Sequence, residues 1–270
     1  MLQAPQRTAL SGPALIRLLA RVADVDVPES RQTLSDRLSQ WLGWTDAIAL
    51  SSVLNGAPPA VPAGARAARP FGRAEEEECA RVRISLAQSV AGDSVLGGAR
   101  RRGTGAASGP AQSRAPLHVQ SPMSLQASLQ AAPAEPPPDY AMFRQRYLAL
   151  QQSMETAVGT LRVRLRGLLA ARTPEFARLA VVDAVMERAL AERERGLLGA
   201  VPGLLATHFE RLRAAEKAAL AGSAASDDAA AVTPGAWLDV FRKDMQSVLL
   251  AELDVRFQPV EGLLAALRTC

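Results

Sequence analysis

Two runs of apolar residues spaced three and four apart dominate the chain between Tyr140 and Leu220. The first holds Phe143, Tyr147, Leu150, Met154, Leu161, Leu165 and Leu168. The second holds Leu179, Val182, Met186, Leu190, Leu197, Val201, Leu204 and Leu212. Such steps return a side chain to one side of a helix at every turn, so each run predicts a helix with a face to bury. Between them, Thr173-Pro174-Glu175 supplies a capping hydroxyl, a first-turn proline and an acid at the positive end of the helix dipole. The pattern predicts a helical hairpin. Its heptad spacing from Tyr147 to Leu161 breaks at Arg164, too soon for a coiled coil, and an antiparallel bundle fits better.

The second run contains Pro202, which predicts a kink or break near Gly199 because an interior proline removes a hydrogen bond and crowds the preceding turn. A small, acidic linker covers 222–232, and Thr233-Pro234 repeats the start signal of Thr173-Pro174. A last helix then carries Trp237, Val240, Phe241, Met245, Val248, Leu249 and Leu253, with Pro259 expected to kink or restart it before Leu263, Leu264 and Leu267. Three such segments can pack as an up-down-up bundle over residues 139–270.

Residues 8–55 predict a small helical module. Ser11-Gly12-Pro13 can start a helix bearing Leu15, Ile16, Leu18, Leu19 and Val22, which Pro28 ends. Beyond Ser30 a second helix holds Leu34, Leu38, Trp41 and Leu42, and a third holds Trp44, Ile48, Leu50, Val53 and Leu54 before Asn55-Gly56. Trp41 and Trp44 are expected in its core. Arg31 and Arg37 allow a helix-turn-helix interpretation, but Asp36 shares their segment and residues 1–55 are net neutral.

The intervening residues 56–138 hold eleven of the eighteen prolines and are rich in Ala, Gly, Ser and Arg. So little apolar content cannot offset the entropy of ordering, so most of this tract is expected to be disordered linker. One short helix is expected near 75–90, where Glu75 to Glu78 favour a first turn and Cys79, Val82, Leu86 and Val90 form a modest stripe. Met123, Leu125 and Leu129 could add one brief turn.

The stretches from Thr8 to Arg17, Val25 to Arg31 and Leu38 to Ala47 resemble the DUF3348 family of uncharacterised bacterial proteins, as do Pro174 to Asp183 and His208 to Arg211. The resemblance spans both helical ends of the chain. It implies a place in a multi-protein assembly and brings no catalytic or binding residues with it.

The net charge of +4 invites a nucleic-acid reading, but three of those charges belong to residues 56–138, where Arg100-Arg101-Arg102 lies. A DNA-gripping domain concentrates its charge on a folded face, and both helical regions are nearly neutral. The only histidines are His118, in the linker, and His208, expected at the bundle's core or boundary; the only cysteines are Cys79 and Cys270, expected to be reduced thiols. That inventory supplies neither a nucleophile–base pair nor a zinc set. Gly97-Gly98 and Gly103-Thr104-Gly105 lack the strand, lysine and hydroxyl of a phosphate loop. Helix carboxylates among so many arginines are expected as exposed salt-bridge partners. No run reaches the roughly 18 apolar residues of a membrane span, and no secretory signal is visible, so a cytoplasmic location without membrane insertion is expected.

The expectation is an all-α, non-catalytic interaction or scaffold protein that binds a protein partner or itself. No catalytic, cofactor-binding or metal-ligating residue is assigned, and no cofactor is required. The alternative is a nucleic-acid-associated protein using the linker arginines and the N-terminal helices.

Overall fold

The computed structural model describes residues 13–28, 31–57, 72–97, 138–223 and 233–269, which contain eight α-helices and no strand. The expected features at Arg100–Arg102, His118, Met123 to Leu129 and Cys270 lie outside the described residues, as does most of the linker at 222–232.

The predicted hairpin is α5 (Tyr140–Ala170) and α6 (Pro174–Gly199). Asp139 caps α5 by accepting the Ala141 N–H at 3.0 Å. Thr173 caps α6 by accepting the Phe176 N–H at 3.5 Å, and its hydroxyl holds the Glu175 carboxyl below the usual range. The buried seam of α5 runs Phe143, Tyr147, Leu150, Met154, Val158, Leu161, Leu165 and Leu169. Its steps follow the near-3.6-residue turn of a straight helix instead of the 3.5 of a heptad. Arg162 bridges to Asp183 (2.8 Å) and Glu187 (3.1 Å), and Arg166 joins the same two carboxylates, locking the hairpin at its closed end.

The predicted break falls at Ala200. There α6 stops and α7 (Val201–Ser223) starts, which places Pro202 in a first turn where its missing N–H is harmless. α8 (Ala236–Arg268) begins later than Thr233-Pro234 suggested: those residues form a turn, and Gly235 enters the helix at φ 86°. Its N–H donates to Glu216 Oε1 at 2.8 Å. α8 also runs unbroken through Pro259, where a kink or restart was expected. Buried Phe257, Val260, Leu263 and Leu264 on both sides of the proline hold the two halves together.

α8 runs parallel to α5, with Phe143 against Phe241 (ring centroids 5.2 Å apart) and Tyr147 against Glu252 further along. α6 and α7 run the opposite way. A fourth member completes the bundle. The helix expected near 75–90 is α4 (Arg73–Ala91), which packs on both α5 and α8 and buries Cys79, Leu86 and Val90. Ion pairs fix it antiparallel to α8: Glu76 meets Arg268, while Arg83 meets Asp254 and Glu261. Glu78–Arg164 and Asp93–Arg146 tie it to α5. The acid run also caps, since Glu75 accepts the Gly72 N–H at 3.0 Å.

The N-terminal helices occupy two surfaces of this bundle. α1 (Ala14–Ala23) packs on α7 and α8, ending in a left-handed Asp24. α2 (Leu34–Trp41) and α3 (Trp44–Asn55) lie on α6. Thr33 and Asp36 form a reciprocal capping box on α2, so Asp36 serves the helix start.

Candidate functional site

The buried face of α8 carries Met245, Val248, Leu249, Leu253 and Phe257, and on the same stripe Glu252 and Arg256. Glu252 is 0% exposed. Its carboxylate accepts from Tyr147 Oη at 2.7 Å, from Gln151 Nε2 at 2.9 and 3.0 Å, and from Arg256 Nε at 2.9 Å. Arg256 reaches on to Glu194 of α6 at 3.1 Å, and Gln151 donates to the Leu198 carbonyl at 3.2 Å. Burial, and then the adjacent Glu252 charge, push the Tyr147 hydroxyl far above its ordinary range, so it is a fixed donor. A buried charge with this many partners joins α5, α6 and α8 at one level of the bundle.

Beside this cluster opens a cleft of about 570 Å³. α6 and α8 both pack on α5, and the Arg256–Glu194 pair reaches from one to the other. Val158, Gly159 and Arg162 of α5, Leu197 of α6, Pro259 of α8 and Leu15 of α1 are among the cleft's lining residues. Trp41 also lines it, with the Arg193 guanidinium 5.5 Å from its ring centroid.

His208 is buried on α7 as expected, with both ring nitrogens engaged. Arg211 Nη2 donates to Nδ1 at 3.0 Å, which places the ring proton on Nε2, 2.8 Å from Asp244. Arg211 also donates to the Val22 carbonyl at 3.0 Å, so this group clasps α1 to α7 and α8. The partners of the ring are thus a carboxylate and a guanidinium. Cys79 is buried, and burial followed by the Glu78 charge raises its thiol pKa, which keeps it protonated and unreactive. Among the described residues no three His, Cys, Asp or Glu side chains gather as a metal set, and no helix is long and apolar enough to cross a membrane.

Two expectations fail here. Glu252 is not an exposed salt-bridge partner; its place four residues from Val248 and seven from Met245, on the apolar stripe, was the available signal. Trp44 is not a core residue: it is 81% exposed, whereas Trp41 is half-buried. Asp46, Ala49, Leu50 and Val53 form the side of α3 that is partly buried against α6. Trp44 and Ile48 stand on the opposite side, and Leu34 of α2 is 74% exposed nearby in sequence.

The family model described as protein of unknown function (DUF3348) matches residues 1–269. The chain belongs to the DUF3348 family. The match covers every helix of the bundle together with α1 to α3, so this whole arrangement is the DUF3348 unit. No curated protein and no solved structure matches this DUF3348 chain.

Proposed function

We propose that the protein is a non-catalytic adaptor that works in the cytoplasm within a multi-protein assembly, docking another protein through the outer face of α2 and α3. The observation that carries this reading is Trp44, a large aromatic side chain left 81% exposed on a helix whose opposite side is already packed. Tryptophan is enriched among the few residues that dominate binding energy at interfaces. The outer face of α3 sets two large apolar side chains, Trp44 and Ile48, both exposed, among small polar ones. The outer face bearing Trp44, Ile48, Ser51, Ser52 and Asn55 has no charged side chain, so apolar contact rather than electrostatic steering would recognise the partner. The bundle then acts as a rigid support.

The test compares wild-type protein with the double variant Trp44→Asp and Ile48→Asp in a pull-down from native lysate, alongside light scattering on a sizing column. Wild type is expected to retain a defined partner, or a second copy of itself, that the variant loses. Identical retained proteins and identical masses for the two would overturn the proposal.

A further inference from the structure

We infer that His208 is a proton-operated clasp, which releases the end of α1 from α7 when its ring takes up a second proton. The clasp is a chain of contacts. Arg211 Nη2 donates both to Nδ1 of the ring and to the Val22 carbonyl, at 3.0 Å each. The last carbonyls of a helix have no partner within it. In α1 the Ala20 and Arg21 carbonyls accept from the N–H groups of Val25 and Asp24, at 3.0 and 3.2 Å. The Val22 carbonyl accepts from Arg211 instead, so one guanidinium closes this helix end and fixes it to α7.

The bond to the ring exists in one protonation state only. Nδ1 accepts it while it carries no proton; a proton there sets N–H against N–H and two cations side by side. Nε2 keeps Asp244 of α8 in either state, at 2.8 Å, so the ring stays and Arg211 is the group that moves. The Arg211 side chain is 38% exposed and can swing into water. Its ion pair with Asp24, past the end of α1, spans 3.7 Å to a side chain that is 73% exposed, where solvent screens the attraction. Around the ring stand neutral groups. Phe241 of α8 lies 6.2 Å from it, and Tyr140 of α5 packs on Phe241 with its hydroxyl pushed up to about 12 by burial. α6 ends at Gly199, before this level of the bundle. With Arg211 gone, the Val22 carbonyl loses its partner and the buried side chains of Ala20 and Val22 come within reach of water.

Imidazole is the side chain that commonly changes charge between pH 5 and 8, and the test spans that range. Hydrogen exchange of the full chain is measured at pH 7.5 and 5.0 and corrected for intrinsic rates. Amides of α1 should exchange about tenfold faster at pH 5.0, the worth of one charge-assisted hydrogen bond, while Phe209 and Met245 keep their protection. His118→Gln leaves His208 as the one imidazole of the chain. Nitrogen NMR of that variant should show the Nε2–H tautomer at pH 7.5 and both nitrogens protonated at pH 5.0. Arg211→Met should exchange fast at α1 already at pH 7.5, with no further rise on acidification. A ring still neutral at pH 5.0, α1 exchange equal at the two pH values, or equal acceleration of every helix would each overturn the inference. So would a pH response that survives Arg211→Met. The clasp does not involve α3, so it stands or falls separately from the Trp44 test.

Discussion

Replacing Arg256 by methionine removes the cation from a carboxylate that has no exposure to water. Methionine retains most of the arginine stem's packing, so the change isolates the charge. Glu252 keeps Tyr147 and Gln151 as donors but loses the one positive charge in direct contact. The Arg256–Glu194 pair adds little to the loss, because Glu194 is about half exposed and solvent screens it. Breaking a buried pair by deleting one partner costs about 3–5 kcal/mol. At roughly 2–4 °C per kcal/mol for a domain of this size, Arg256→Met should melt about 6–20 °C below wild type. Glu252→Gln keeps the shape and leaves Arg256 its exposed partner, so it should cost only about 1–3 kcal/mol. The ordering is the decisive part. The double variant buries a neutral amide beside Tyr147 and Gln151, and should be more stable than Arg256→Met alone. Urea unfolding of all four proteins, monitored by far-ultraviolet circular dichroism, gives the cycle. A double variant less stable than Arg256→Met, or a single-variant loss under about 1 kcal/mol, would refute the assignment of Glu252 as a buried charge dependent on Arg256.

Tyr140 and Tyr147 are the two tyrosines of the chain. Burial pushes the first to about 12, and burial with the Glu252 charge pushes the second higher still. Both native pKa values exceed the unfolded value of about 10, so their contribution to stability is complete below pH 10 and is lost as pH rises from there through 12. Urea midpoints should fall across that window, and tyrosinate absorbance at 295 nm should appear with unfolding and not before it; a full tyrosinate signal from folded protein at pH 11 would contradict the burial. Gly235→Ala puts a Cβ on a residue at φ 86° and should cost about 1 kcal/mol, read as a melting temperature lowered by roughly 2–4 °C. An unchanged melting temperature would mean that α8 can begin without the left-handed turn.

Much of the bundle was legible because its signals are local. Thr173-Pro174 marks a cap and a first turn whatever surrounds it, and Pro202 forces the backbone to restart near Gly199. The role of α4 was less legible. Cys79, Val82, Leu86 and Val90 make a stripe thin enough for a linker helix, yet α4 rests between two long helices and needs only a narrow face. Ion pairs to Arg164, Asp254, Glu261 and Arg268 do the rest, across separations that no sequence window spans. Glu252 was hidden for a different reason. An acid and an arginine four apart look the same on a solvated face and in a core, and the apolar phase of α8 is what separates the cases. Trp44 shows the converse: its size suggests burial, but the phase of α3 against α6 points it outward. The cleft left no sequence signal, because its lining residues come from helices far apart in the chain.

α8 packs against α1, α4, α5 and α7. All four leave the ribosome before it does. Val22, Leu86, Phe143 and Phe209 are therefore synthesised well ahead of the surface that shelters them, and the arginine of the Glu252 pair comes later than Tyr147 and Gln151 by about a hundred residues. Local turns can form on the way, but the layer that makes them one body must wait for residues 236–268. The bundle therefore closes late in synthesis, once α8 is made and can turn a string of helices into one packed unit.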